Sequence, residues 1–272
     1  MIRRAVGVLA MVATCLAAGG GTAVLADDSP GLLEQARQHS RSSWRWSDRK
    51  QTLTMTIVDG RGNERTRKLR MFTRREDDGS EKSLAVFLEP ADVRGTAFLQ
   101  HTSPNEPSLQ WLYLPELGRS RQITSSARRK SFMGTDFSYA DLDLIENVLR
   151  WEVPSEAVPG PNDAADDRAW FELDLSEDDR GYDRVDVGLG RANAWMHSLR
   201  LYEDRDADPT KVLAFEGVRL VGAVPTAERL RMTQPATGSF TLVTVSDLAY
   251  DSGVADDLFT KRALERGLDH VD

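Results

Sequence analysis

Cysteine is almost missing from this chain: Cys15 is the only one in 272 residues. It lies in an apolar leader, so the body after residue 26 has none. A thiol nucleophile, a cysteine zinc site, an iron–sulfur cluster and an intrachain disulfide are excluded for that body. Histidine is also scarce. His39, His101, His197 and His270 are the full set, and no two stand at metal-ligand spacing. There is no G-x-S-x-G elbow, phosphate loop or dinucleotide fingerprint. Asp141 and Asp143 are two apart on a predicted helix, so their side chains diverge and make a poor acid/base pair. An enzyme built from scattered residues is not excluded, but nothing selects one. Neither a metal nor a cofactor is expected. After residue 26 no run is long and apolar enough to span a bilayer.

The leader itself has three parts. Arg3 and Arg4 form a positive end, Ala5–Ala18 is apolar, and Val24-Leu25-Ala26 presents small or branched residues at the −3 and −1 positions. Residues 1–26 therefore read as a cleaved secretory signal, leaving 27–272 as one exported domain. Gly19–Gly21 argue against an uncleaved membrane anchor, because glycine is poor helix filling. Val12-Ala13-Thr14-Cys15 loosely matches a lipobox, which keeps acylation of Cys15 as a lesser alternative.

The formal net charge of −8 becomes −10 without Arg3 and Arg4. It is unevenly spread. Residues 27–130 hold 19 Lys+Arg against 14 Asp+Glu, whereas residues 131–272 hold 14 against 29. Two basic clusters, Arg61–Arg75 and Arg119–Lys130, produce the first excess. They read either as a solvated sheet face or as a face for anionic headgroups or an acidic partner. Arg67, Arg70, Arg119 and Arg121 are the candidate contacts. An acidic exported chain without a recognition motif is not expected to bind nucleic acid.

Ser29-Pro30 opens a short helix over 29–40, with Leu32, Leu33 and Ala36 at helical spacing. The period then becomes two. Leu53, Met55 and Ile57 alternate with threonines, which predicts a half-buried strand. Further strands are expected at 64–75, 83–88, 96–101, 109–114, 120–124, 150–153, 168–174, 182–188, 194–203, 211–221, 227–233 and 239–249. Ser138 with Asp141 forms a capping-box pattern opening a helix over 139–149. A closing helix is expected near 254–267, and 156–167 reads as a loop. No repeat or linker divides the chain. The fold class is mainly β with a few helices: about eleven meandering strands in one curved antiparallel sheet, a half-open barrel covered by helices.

Two segments carry the candidate ligand contacts. In Gln110-Trp-Leu-Tyr-Leu-Pro115, Trp111 and Tyr113 share one face while Leu112 and Leu114 share the other. A strand apolar on both faces is covered on both. Either two packed layers enclose it, or one face lines a ligand cavity. Phe132, Met133 and Phe137 lie on a predicted loop, followed by Tyr139. Such loop aromatics either fold under as a lid on the core or contact an acyl chain, which needs conformable apolar surface.

Pro90-Ala-Asp-Val-Arg-Gly-Thr-Ala-Phe-Leu99, Gln110–Pro115, Gly118-Arg119, Ser131-Phe-Met-Gly-Thr-Asp-Phe-Ser-Tyr139 and the closing Asp257–Leu264 resemble the outer-membrane lipoprotein-sorting protein family. This LolA-like group is distinct from the carrier LolA. The resemblance implies a half-open antiparallel barrel with an apolar cavity that carries lipid or lipoprotein acyl chains across the periplasm. It also implies the alternative of a non-enzymatic docking subunit for an inner-membrane RND-type lipid exporter. A monomer is expected. The motif residues carry no agreed chemical role, so positions are carried over and functions are not.

Overall fold

Alternation along Gln51-Thr-Leu-Thr-Met-Thr-Ile57 sorts this segment into two faces, and it pairs on both sides as a strand in the computed structural model. The structure describes residues 29–42, 46–104, 106–148, 158, 167–176 and 180–266. The predicted leader, the strand expected at 150–153 and nearly all of the 156–167 loop lie outside them.

The first half of the sheet is a meander. It comprises β1 (Asp48–Val58), β2 (Glu64–Arg75), β3 (Glu81–Glu89), β4 (Ala97–Ser103), β5 (Glu106–Leu114) and β6 (Arg119–Gln122). The second half contains β7 (Arg168–Asp174), β8 (Arg184–Gly190), β9 (Met196–Tyr202) and β10 (Lys211–Glu216). A small hairpin, β11 (Arg219–Val221) and β12 (Val224–Thr226), precedes β13 (Arg229–Gln234) and β14 (Ser239–Tyr250). Twelve strands form one antiparallel sheet in the order β6-β5-β4-β3-β2-β1-β14-β13-β10-β9-β8-β7. Thus β14 returns beside β1 and joins the halves, β6 and β7 are outermost among the described strands, and Val158 bridges to Trp170 of β7. The curved sheet is a half-open barrel.

The sheet has twelve strands against about eleven expected, and the hairpin outside it, which was not expected, has a local cause. The strand predicted over 211–221 stops at Gly217, whose φ of +63° turns the chain out of the sheet. A Cβ there would stand 2.9 Å from a Glu228 carboxylate oxygen. Residues 219–226 then pair with themselves across Gly222-Ala223 as the separate hairpin.

One face of the sheet is inner and holds the main core. Odd-numbered residues of β1 point there, including Leu53 and Met55, beside Leu69, Phe87, Phe98, Val187, Leu213 and Val243 from neighbouring strands. Helix α1 (Ser29–Ser42) contributes Leu33 and Ala36, three apart and so on one side. A single turn, α2 (Ser125–Arg128), precedes α3 (Tyr139–Asn147), which contributes Leu144 together with Val148 just beyond its end. The expected capping box is present: Asp141 N–H donates to Ser138 Oγ at 3.1 Å, and Ser138 N–H donates to Asp141 Oδ2 at 2.7 Å. These bonds satisfy two of the orphan donors at a helix start.

The outer face of the first half is also covered. Phe72, Leu84, Val86, Leu99 and Trp111 pack under Val254, Phe259 and Leu264 from the C-terminal segment. That segment is not the single helix expected over 254–267. A 3-10 turn at Asp256–Phe259 is separated by extended Thr260 from α4 (Lys261–Arg266). In one continuous helix Phe259 and Leu264 would point about 140° apart, given 3.6 residues per turn. The break lets both reach the same sheet face, and Thr260 Oγ1 accepts from Ala263 N–H at 3.1 Å.

Candidate functional site

Cross-strand register builds the floor of the site. Arg49 of β1 stands opposite Thr73 of β2, Thr73 opposite Ser83 of β3, Ser83 opposite Gln100 of β4, and Gln100 opposite Gln110 of β5. A polar row therefore crosses five strands on the inner face. The next row is mostly apolar, Gln51–Met71–Ala85–Phe98–Leu112, and Leu53–Leu69–Phe87 follows it. Polarity thus changes along each strand, from a polar end to an apolar end.

Above this floor lies a cavity of about 390 Å³. Small-molecule sites span roughly 300–1,000 Å³, so it is of ligand size. Leu142 and Ile145 of α3 and Ala36 of α1 line it, as do Val243 and Val245 of β14 and Leu53, Met55 and Leu69 of the floor. The β8–β9 connection contributes Ala194 and Trp195, and the β11–β12 hairpin contributes Val224, Pro225 and Thr226. Its surface is mostly apolar, with the charged and amide groups gathered from Arg49, Gln51, Arg75, Glu81, Ser83 and Gln100.

The polar end is partly neutralised. Arg75 Nε donates to Glu81 at 2.6 Å, and this pair is largely buried. The Arg75 guanidinium also stacks on Trp46 at 3.8 Å from the ring centre, with Tyr250 at 5.4 Å on the same indole. The Tyr250 hydroxyl and Thr226 Oγ1 are 2.9 Å apart, which ties the hairpin to this end. Arg49 gives Thr73 Oγ1 one hydrogen bond at 3.2 Å and has no carboxylate partner among the described residues.

The opposite end is closed by residues 131–138. Phe132 N–H donates to the Phe137 carbonyl at 2.7 Å, and Thr135 N–H donates to the Phe132 carbonyl at 3.0 Å. Met133 and Gly134 have φ values of +51° and +72°, which make the reversal tight. Asp136 fastens it to the sheet, accepting from Thr241 Oγ1 at 2.7 Å, Ser239 Oγ at 2.6 Å and Gln234 Nε2 at 2.8 Å. Phe132 stacks edge-on against Phe98 at 5.2 Å and Tyr139 at 5.4 Å. Such pairs add about 0.5–1.5 kcal/mol each beyond area burial.

The sequence-derived candidates fall into three places. Phe132 and Phe137 line the cavity. Tyr139, Met133 and Leu112 pack in the inner core beside it, and burial raises the Tyr139 pKa. Trp111 and Tyr113 lie on the outer face beneath the C-terminal segment, away from the cavity. Leu114 precedes the turn into β6 and is partly exposed. The arginines also separate. Arg67 is on the inner face, where Gly134 is near its Nη2, and desolvation lowers its pKa against the opposing pull of Asp92. Arg70, three residues on, takes the outer face; Arg119 and Arg121 are exposed on the edge strand β6. Sequence reasoning missed Arg49, Gln51, Ser83 and Gln100. Their signal was polar residues at strand positions in phase with core residues, which reads as ordinary solvent exposure until register is known.

The polar groups on α3 hold structure rather than substrate. Asp141 accepts from the Tyr182 hydroxyl at 2.7 Å and from Lys211 Nζ at 2.7 Å, and burial followed by this carboxylate pushes the Tyr182 pKa upward. Asp143 accepts from Ser108 Oγ and, at 3.0 Å, from Arg180 Nε. The two aspartates thus serve different partners. Of the histidines with described side chains, His101 and His197, neither lines the cavity. No group of three or more His, Cys, Asp or Glu among the described residues is arranged to hold a metal. No described helix is long and apolar enough to cross a membrane.

A protein-family model whose description reads "Uncharacterized protein" matches residues 79–266. No curated protein matches the chain. Among solved structures, an outer membrane lipoprotein-sorting protein domain from Vibrio parahaemolyticus is 28% identical, with a TM-score of 0.75, over 88% of this chain and 100% of that one. A DUF1329 family protein from Desulfovibrio piger is 26% identical, with a TM-score of 0.77, over 88% and 99%. A LolA superfamily protein from Nitrosomonas europaea shares the fold at 15% identity and a TM-score of 0.64, over 86% and 98%. With a family match over most of its length and these structural relatives, the chain belongs to the outer-membrane lipoprotein-sorting protein family, LolA-like in fold.

Proposed function

We propose that the protein is a non-enzymatic carrier of the bacterial periplasm, which takes an acyl chain of a lipid or lipoprotein into the inner-face cavity and moves it toward the outer membrane. The observation that carries this reading is the ligand-sized, mostly apolar space between the sheet and α1 and α3. Each methylene moved from water into such a space contributes about 0.8 kcal/mol, so several chain carbons suffice for binding without chemistry. The likeness to a domain named for lipoprotein sorting points the same way. Export through a cleaved 1–26 leader belongs to this reading. Native mass spectrometry of the protein recovered from the envelope of a bacterial host tests it. A co-purified acyl lipid that leaves on delipidation and returns on adding lipid supports the carrier. A protein that is empty and takes up no lipid overturns it.

A second reading adds a docking face for an acidic partner such as an inner-membrane RND-type exporter. Lys68 and Arg70 stand on the outer face of β2, with no carboxylate partner among the described residues. They lie on the opposite side of the sheet from the cavity, so docking and carrying do not compete. Arg70→Glu is expected to abolish a pull-down of the partner while Arg67→Glu, on the inner face, leaves it. Equal loss in both variants counts against this face.

A further inference from the structure

The polar end of the cavity contains donors that the protein itself leaves under-used. Gln51 is 7% exposed and lines the cavity. The only hydrogen bond from its amide nitrogen goes to the Met71 thioether at 3.5 Å, a weak acceptor. Arg49, two residues earlier and on the same strand face, has its Nε buried with no partner. Its one hydrogen bond, with a stack on Trp46 at 5.2 Å from the ring centre, leaves most of the five guanidinium donors without an acceptor among the described residues. Glu81 is the one carboxylate among the described residues that line the cavity, and it is held by Arg75 at 2.6 Å. Among the described lining residues, the two cations Arg49 and Arg75 therefore face one anion, Glu81.

A buried amide without a good partner is costly, and so is a half-buried guanidinium without a counter-charge. Both costs vanish if the ligand brings an acceptor with negative charge. The space is also at the small end of ligand cavities, which suits one chain better than several. The apolar rows begin one strand position beyond Arg49, so a chain whose head sits at Arg49 runs directly over Leu53 and Leu69 toward Phe132.

We infer that Arg49 and Gln51 form an anionic headgroup subsite, and that the ligand class is a single-chain amphiphile with a carboxylate or phosphate at its head. The carboxylate or phosphate oxygens accept from the Arg49 guanidinium and the Gln51 amide, and the chain fills the apolar end. This specifies the ligand of the carrier reading and rests on it.

The test uses the full-length mature protein and displacement of the neutral probe N-phenyl-1-naphthylamine by three myristoyl ligands: myristate, lysophosphatidylglycerol and 1-monomyristoylglycerol. Wild type is expected to bind at least one of the two anions about tenfold or more tighter than the neutral ester, the scale of a charge-assisted hydrogen bond. Which anion binds tighter decides between carboxylate and phosphate heads. Arg49→Gln is expected to lose that preference while keeping its affinity for the neutral ester, and Arg49→Lys to keep part of the preference. Equal affinity of wild type for all three ligands overturns the subsite and leaves the carrier standing. Failure of all three to displace the probe overturns the subsite and counts against the carrier. Circular dichroism and a retained affinity for the neutral ester show that Arg49→Gln is folded; if it does not fold, Gln51→Leu, which keeps the core apolar, takes its place with the same expected loss.

Discussion

Thr241 Oγ1 donates to Asp136 Oδ2 at 2.7 Å and accepts from Asp136 N–H at 2.9 Å, joining the loop that closes the cavity to the strand at the centre of the sheet. Both residues are buried, and Asp136 also accepts from Ser239 and Gln234. The loop whose aromatics the sequence leaves either as a lid on the core or as contacts for an acyl chain is fixed at its tip. At the other end, beside the β11–β12 hairpin, the tie is the single contact between Thr226 and Tyr250.

Asp136→Ala removes the shared acceptor and strands the buried Thr241 hydroxyl, along with the half-buried Gln234 and Ser239 donors. Leaving such a group unsatisfied costs about 1–3 kcal/mol, so the urea midpoint should fall with its slope unchanged. Asp136→Asn keeps an acceptor oxygen and should lose less. An unshifted midpoint for the alanine variant contradicts the pinned loop.

The C-terminal segment is expected to loosen in mild acid. His101 Nε2 lies 2.9 Å from the Phe259 carbonyl; a carbonyl only accepts, so Nε2 carries the proton. Burial lowers the pKa of His101, and the hydrogen bond to Phe259 opposes this only in part. The unfolded chain, near the ordinary 6.5, thus binds its proton first as pH falls. Stability is full above that value and declines as pH drops through it toward the lower folded pKa. Asp256, held below its ordinary value chiefly by Lys82, gives a second loss in the same direction below 3.8. Protection factors of residues 254–266, taken against the intrinsic exchange rate at each pH, should therefore fall between pH 7.5 and pH 5, and His101→Gln should flatten that fall.

Gly188 is fixed by a neighbour rather than by its backbone. A Cβ there would stand 2.9 Å from the Trp170 ring, which Arg200 stacks on at 4.2 Å. Gly188→Ala should overpack this site at a cost of about 1–3 kcal/mol, and pairing it with Trp170→Phe should restore part of the loss. Thermal unfolding of the two variants reads this directly.

Much of the fold was legible because period-two segments such as 51–58 and 64–75 can bury only one face, and the Ser138–Asp141 box starts its helix as expected. Trp111 and Leu112 announced a strand covered on both sides. They did not announce which side holds the cavity, because the cover over Trp111 is Phe259 and Leu264, more than a hundred residues downstream. The polar row was illegible for a related reason. Arg49, Thr73, Ser83 and Gln100 each resemble a solvent-facing strand residue, and only the register of four strands brings them into one line under the cavity.

An acyl chain bound in the cavity would lie over the inner face of the sheet. Photo-crosslinking with a diazirine-bearing fatty acid, followed by peptide mapping, tests it most directly. Adducts are expected on peptides carrying Leu53, Leu69, Ala85 and Phe132, competed away by unlabelled fatty acid. Adducts confined to the outer face around Trp111 and Tyr113, or none above background, would contradict it.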